Sequence, residues 1–227
     1  ASFQAISATG ARPISCEIDP SNMCIDLKDA KKRITSNTRA IMPVHYSGGV
    51  GHLEETYKFA QENNLRVIED AAHAFGTEFK GKKVGSFGDI TCFSFDGIKN
   101  ITSGEGGCII TEDQEVIEKI RDARLLGVEK DSEKRFSGKR SWNFDVSQQG
   151  WRYHMSNIMA AIGLVQLSKF DKIAKKRREL AKYYLTKLSN SQNIKLLSLD
   201  YDSVVPHIFV IEISKDLHRE EIREKLL

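Results

Sequence analysis

The chain alternates. Between residues 38 and 127, short apolar runs trade places with amphipathic ones, and few folds accept that rhythm. TRAIMPVHY (38–46), LRVIEDAA (65–72), DITCFSF (89–95) and GGCIITED (106–113) read as strands. HLEETYKFAQENN (52–64) reads as a helix with Leu53, Tyr57 and Ala60 in register. QEVIEKIRDARLLG (114–127) reads as another, stopped by Gly127. Ahead of them, RPISCEID (12–19) predicts a strand and DLKDAKKRI (26–34) a helix with Leu27, Ala30 and Ile34 on one side. The apolar centre of 65–72 is continuous, as it is in strands buried on both faces. Strand–helix alternation of this kind predicts a layered α/β fold, a mostly parallel sheet sandwiched by helices.

Past residue 127 the pattern changes. Residues 128–150 are polar and without period, which predicts a long loop of the kind that is functional or disordered. MSNIMAAIGLVQLSKF (155–170) carries Ile158, Ile162 and Val165 at helical spacing, with Ser156 as its cap. DKIAKKRRELAKYYLTKLSN (171–190) continues as a charged helix, and HIFVIEI (207–213) predicts a strand. We therefore expect a large α/β domain over 1–170, then a linking helix and the start of a smaller domain over 171–227. The first residue is Ala1 and the last ten, HREEIREKLL, read as a helix just under way. Both ends are expected to be cut from something longer.

Composition excludes several classes. A net charge of +3 on 227 residues gives no global drive toward nucleic acid or membrane. No run approaches a membrane span, and no charged-then-apolar leader opens the chain. The basic stretch KIAKKRRELAK (172–182) reads as a solvated helix face rather than a phosphate-binding patch. Glu179 is mixed in, no aromatic interleaving accompanies it, and Ile173, Leu180 and Tyr184 are expected to face a core. Cys16, Cys24, Cys92 and Cys108 form no CxxC pair, so zinc is not expected. Cys92 and Cys108 lie in strand-like runs and read as small buried hydrophobes, and a reducing cytoplasm is the simplest compartment.

In open α/β sheets, ligands gather at the carboxyl ends of the strands. This chain places HYSGGVGH, EDAAHAFG and DGIKN there. A dinucleotide site fails on spacing. From Gly49 the third glycine falls on Glu54, and from Gly48 the second falls on Val50. Pyridoxal phosphate (PLP) fits better. Its chemistry needs an amine to form a Schiff base and a carboxylate to keep the pyridinium nitrogen protonated. It also needs hydroxyls, amides or cations for the phosphate. Lys99 is the candidate amine, Asp70 the carboxylate and Ser94 a phosphate-side hydroxyl, and His73 lies over or beside the ring. Each alone means little. Asp70–x2–His73 followed by Ser94–x4–Lys99, all at strand ends, is far more specific. The glycines near Lys99 (Gly97, Gly104, Gly106, Gly107) are expected to let the backbone pass close to a flat ring.

VIEDAAHAFGTEFKGKKVGSFGDITCFSFDGIKNITSGEGG resembles the central block of the DegT/DnrJ/EryC1/StrS family, the PLP-dependent sugar aminotransferases. The pattern E-D-A-A-[HQ]-A-x-G, G-D, F-S-F, K-N, G-E-G-G is present in full. The resemblance extends through PVHYSGGVGHLEE, RDARLLG and GWRYHMSNIMAAIGLVQL, and so covers nearly the whole chain. It implies the aspartate-aminotransferase (type I) fold and a homodimer with its sites at the interface. By resemblance, Lys99 is the Schiff-base lysine, Asp70 the pyridinium partner, His73 the residue on the ring and Ser94 a phosphate ligand. The implied reaction moves an amino group from L-glutamate to a keto group of a nucleotide-linked sugar, for surface-polysaccharide or related amino-sugar biosynthesis. Lys99 moves the proton as general base and acid. Family dehydratases carry histidine in place of that lysine, so Lys99 argues against dehydration.

Two departures stand out. The family's Ser-Gly-Thr phosphate turn would precede Ala1. His154 stands where many relatives carry an asparagine that reaches the neighbouring subunit's phosphate. Trp151, Arg152 and Tyr153 are sugar-nucleotide candidates by position. A catalytically silent dimeric scaffold is the alternative, and the presence of Lys99 and Asp70 weighs against it.

Overall fold

The computed structural model describes residues 1–129, 137–139, 144–146 and 148–226. Helix α1 (Ser2–Ala8) leads through an extended stretch to α2 (Leu27–Arg33), whose cap Asp26 accepts from the Lys28 amide. Then come β1 (Ala40–Ile41), a 3-10 turn at Tyr46–Gly48, α3 (Leu53–Glu62) and β2 (Arg66–Asp70). The small hairpin β3 (Glu78–Phe79) and β4 (Lys82–Lys83) precedes β5 (Ile90–Ser94) and β6 (Gly107–Ile110). Helices α4 (Gln114–Ala123), α5 (Asn157–Ser168) and α6 (Phe170–Leu188) follow. Strands β7 (Ile194–Leu196) and β8 (Ile211–Ile213) and helix α7 (Arg219–Leu226) close the described chain.

The main sheet has the order β1-β2-β5-β6. β1, β2 and β5 run parallel, and β6 returns antiparallel against β5. Only the 95–106 turn, which carries no helix, separates β5 from β6, and without a crossover helix the chain returns antiparallel. The register sets Asp70 beside Cys92 and Ser94 beside Gly107, bringing the ends of β2 and β5 to one edge. Gly107 lies so close to β5 that a Cβ there would stand 2.4 Å from the Phe93 carbonyl oxygen. One core cluster joins Ile41, Phe59, Ala60 and Val67 between β1, β2 and α3. Another, around Ala71, Ala74, Val84 and Phe93, meets a third around Ile101, Phe170 and Val205 through Phe75. Phe75 makes edge-on contacts with Phe93, Phe95 and Phe170.

Several expectations need correction. Residues 12–19 form no strand beyond a single bridge between Ile18 and Ile25. Ile14 and Ile18 are exposed and Pro13 has no N–H to donate, so apolar content alone does not recruit a partner. The strand expected over 38–46 is interrupted at Pro43, and of 207–213 only Ile211–Ile213 is strand. On α6 the buried stripe is Phe170, Ala174 and Ala181, while Leu180 and Tyr184 are exposed. The expected α5 cap holds, with Ser156 accepting from the Met159 amide. Most of the 128–150 loop lies outside the described residues. Where described, Val128 bridges Val146.

Candidate active site

The site is built on the shared edge of β2 and β5. Asp70 is gripped from both sides of its backbone. Its N–H donates to the Pro43 carbonyl (2.9 Å) and its own carbonyl accepts from the His45 N–H (3.0 Å). The Asp70 carboxylate is oriented by two donors, the Ser2 hydroxyl on Oδ2 at 2.5 Å and the Ala72 N–H on Oδ1 at 3.2 Å. Three residues on, His73 stands half-buried between Tyr46 and His207, with ring centroids 5.9 and 4.3 Å away. Burial first, and the Lys99 ammonium second, lower the His73 pKa against the opposing pull of Asp70. His73 therefore stays neutral at neutral pH.

Lys99 sits on the turn that follows β5. Its N–H donates to the Asp96 carbonyl at 3.1 Å, and the Asp96 N–H donates to the Ser94 hydroxyl at 3.3 Å. Lys99 is half-buried, and among the described residues Nζ has no hydrogen-bond or ion-pair partner. Next to it, buried Asn100 acts as a clip. Its Nδ2 donates to the carbonyls of His73, Phe75 and Val205, at 3.4, 3.5 and 3.1 Å. The glycines of this turn differ in what surrounds them. Gly107 is required by the approach of β5, whereas a Cβ on Gly97 would meet nothing nearer than 3.7 Å.

Beneath this edge, Glu69 is wholly buried and accepts from Tyr57 (2.6 Å) and Thr91 (3.1 Å) and pairs with His45 Nε2 (2.6 Å). Burial and Glu69 together raise the Tyr57 pKa well above the ordinary phenol range. The G-D motif is structural as well. Asp89 pairs with Arg66 through two contacts, at 2.7 and 2.6 Å, and that guanidinium holds its carboxyl below the usual range. The glycine turn after β1 packs against protein. A Cβ on Gly48 would stand 2.5 Å from the Val205 carbonyl oxygen. That glycine serves a close backbone approach, in keeping with the failed dinucleotide spacing.

The structure thus brings Asp70, His73, Ser94 and Lys99 to one edge, and does not bring His154 to them. His154 is exposed, and among the described residues no hydrogen bond or ring contact joins it to the cluster. Trp151 and Tyr153 stack at 6.1 Å, with backbone bonds to Ala123 at the end of α4 and to Arg124 and Leu126 just past it. Sequence reasoning missed His207, Asn100 and Ser2. The only available signal for His207 was a polar ring at the head of the apolar run HIFVIEI. The four cysteines are free, with Cys24 buried, and no group of metal-ligating side chains occurs among the described residues. Nor is any described helix long and apolar enough to cross a membrane.

The profile of the DegT/DnrJ/EryC1/StrS aminotransferase family matches residues 1–227. This chain belongs to that family. It is 43% identical to an uncharacterized protein of Methanocaldococcus jannaschii over 184 residues, covering 81% of this chain and 48% of that one. It is 36% identical to the GDP-perosamine synthase of Escherichia coli O157:H7 over 226 residues, covering 100% of this chain and 59% of that one. The fold matches S. venezuelae DesV, solved in complex with a ketimine intermediate, with a TM-score of 0.85. That match is 29% identical and covers 99% of this chain and 57% of DesV. The chain spans about half the length of the first two curated relatives.

Aminotransferases of the DegT/DnrJ/EryC1/StrS family are PLP-dependent. The residues present fit that cofactor. Among the described residues, an amine without a partner, a carboxylate with both oxygens oriented, and a neutral imidazole with a buried, unpartnered Nδ1 are grouped at one strand edge. Ser94 adds a hydroxyl at the end of β5.

Proposed function

We propose that this chain supplies the cofactor site of a PLP-dependent aminotransferase that transfers an amino group from L-glutamate to a keto group on a nucleotide-linked sugar. The observation that carries it is the cluster at the joined ends of β2 and β5 of Asp70, His73 and Lys99, whose Nζ has no partner among the described residues. PLP, when bound, supplies the electron sink for breaking a bond at the carbon that carries the amine. Lys99 holds the cofactor and then, freed by the donor amine, moves the proton as base and acid. Asp70, fixed by Ser2 and Ala72, partners the pyridinium nitrogen. His73 covers the ring as a neutral surface, and Ser94 contributes to the phosphate site.

The GDP-perosamine synthase relatives support the sugar-nucleotide acceptor, and the Bacillus subtilis relative named spore coat polysaccharide biosynthesis protein SpsC supports a role in surface-polysaccharide synthesis. A homodimer fits the exposed apolar surface of α5, where Ile158 is 77% and Leu164 68% exposed. In such a dimer the exposed His154 would serve the partner's site. Residues 171–227 would open a smaller domain around the separate β7–β8 pair.

The test is an absorbance titration of the full chain with PLP, followed by L-glutamate. A visible cofactor band that bleaches on adding glutamate is the expected result. A band that persists with every amino donor would overturn transamination, and no band either here or in a protein extended at both ends would favour the silent scaffold.

A further inference from the structure

Neither imidazole of the His73–His207 pair has a side-chain hydrogen bond among the described residues, and both Nδ1 atoms are buried without a partner. The plane of His73 is therefore not set by hydrogen bonding. Packing sets it, and the nearest ring is His207, at 4.3 Å and tilted by 38°. Tyr46 is farther, at 5.9 Å.

His207 is unusually well anchored. Its N–H donates to the Ser47 carbonyl at 3.2 Å, and the Ser47 hydroxyl donates to the next carbonyl, Ile208, at 2.5 Å. Arg177 on α6 donates to the carbonyls of Pro206 (3.2 Å) and His207 (3.0 Å). Arg178 donates to those of Val204 and Ser203. The Val205 N–H reaches the buried Thr77 hydroxyl at 3.0 Å, and its carbonyl is held by Asn100, the neighbour of Lys99. Two arginines of the basic stretch are thus spent on fixing this segment. One side-chain clip ties it both to the lysine turn and to the histidine turn.

We propose that His207 is a positioning residue for the cofactor site: its ring backs His73 and fixes the plane that His73 presents to the cofactor. The proposal rests on the site assignment above. The groups facing His207 are His73, the Lys99 ammonium and the Arg177 guanidinium, with Asp96 opposing them. Burial and those three neighbours hold its pKa at about 4, so the pair is neutral at working pH. A protonated His207 would push against Lys99 and Arg177 and loosen the stack.

The experiment measures PLP affinity by equilibrium dialysis, and the absorbance maximum of the cofactor band across pH. It uses the full chain and the variants His207→Ala, His207→Phe, His73→Ala and the His73→Ala/His207→Ala double. His207→Ala should weaken PLP binding about three- to tenfold, the factor an aromatic pair is worth. It should also shift the band. His207→Phe keeps a flat ring and should restore both, which a lost proton carrier would not permit. In the His73→Ala background, His207→Ala should change little, because the pair acts as a unit. Equal effects in both backgrounds, or wild-type affinity in a folded His207→Ala protein, overturn the proposal. If His207→Ala does not fold, the phenylalanine variant decides, since loss of affinity there also overturns it. A wild-type chain that forms no band overturns the site assignment and this inference together. A normal band with indifferent variants overturns the inference alone.

Discussion

Glu69 and Asp70 are neighbours on one strand, and strand alternation sends them to opposite faces. Behind the strand, Glu69 has no exposure and answers to His45, Tyr57 and Thr91. In front, Asp70 is half-buried and answers to one hydroxyl and one backbone N–H. The same chemical group is structural on one side and available for chemistry on the other. The difference lies in how many of its lone pairs the protein already uses and in who else faces it. The rear carboxylate is enclosed by its own donors, whereas the front one shares its edge with an amine that has no partner among the described residues.

Substitutions should separate the two faces. Lys99→Ala should give the largest loss, roughly 10³-fold or more in amino-transfer rate, as expected for removing both attachment and proton transfer. Its melting temperature should stay near wild type. Asp70→Asn comes next, with a fall of about 10²-fold in kcat and near-normal PLP binding. Wild-type turnover in that variant would remove Asp70 from its assigned role. Glu69→Ala should act on stability instead, costing about 3–5 kcal/mol in denaturant unfolding, because buried donors lose their acceptor. Glu69→Gln should cost less, about 1–3 kcal/mol. A folded Glu69→Gln protein with poor kcat would blur the division between the faces.

The smallest effect is on pH. His207 titrates near 4 in the folded chain against about 6.5 in the unfolded one, and His73 is shifted the same way. The unfolded state takes up the proton first as pH falls. Stability is then full above about pH 6.5 and is lost as pH drops toward 4. His207→Phe should flatten that part of the unfolding profile.

The front face was more legible in the sequence than the rear, and local parts more than distant ones. Asp70, His73, Ser94 and Lys99 lie at the ends of two strands whose apolar runs are plain. Their spacing is therefore readable wherever the strands are. His207 reaches the site only through a clamp whose Asn100–Val205 bond spans 105 residues, and no periodicity encodes such a contact. The segment at 12–19 was misread because β-propensity reports apolar content and not the presence of a neighbouring strand. The face of α6 was misread because Phe170 and small alanines, rather than Leu180 and Tyr184, meet the core. Asn100 stood inside a recognised motif, but a K-N pair gives no hint that the amide spans three carbonyls.

The central claim is that Lys99 is the amine of this site. The most direct measurement is borohydride reduction of the full chain with PLP, followed by peptide mapping by mass spectrometry. A single reduced cofactor adduct is expected on the peptide containing Lys99, absent from the Lys99→Ala variant. An adduct on another lysine, or scattered evenly over surface lysines, would contradict it.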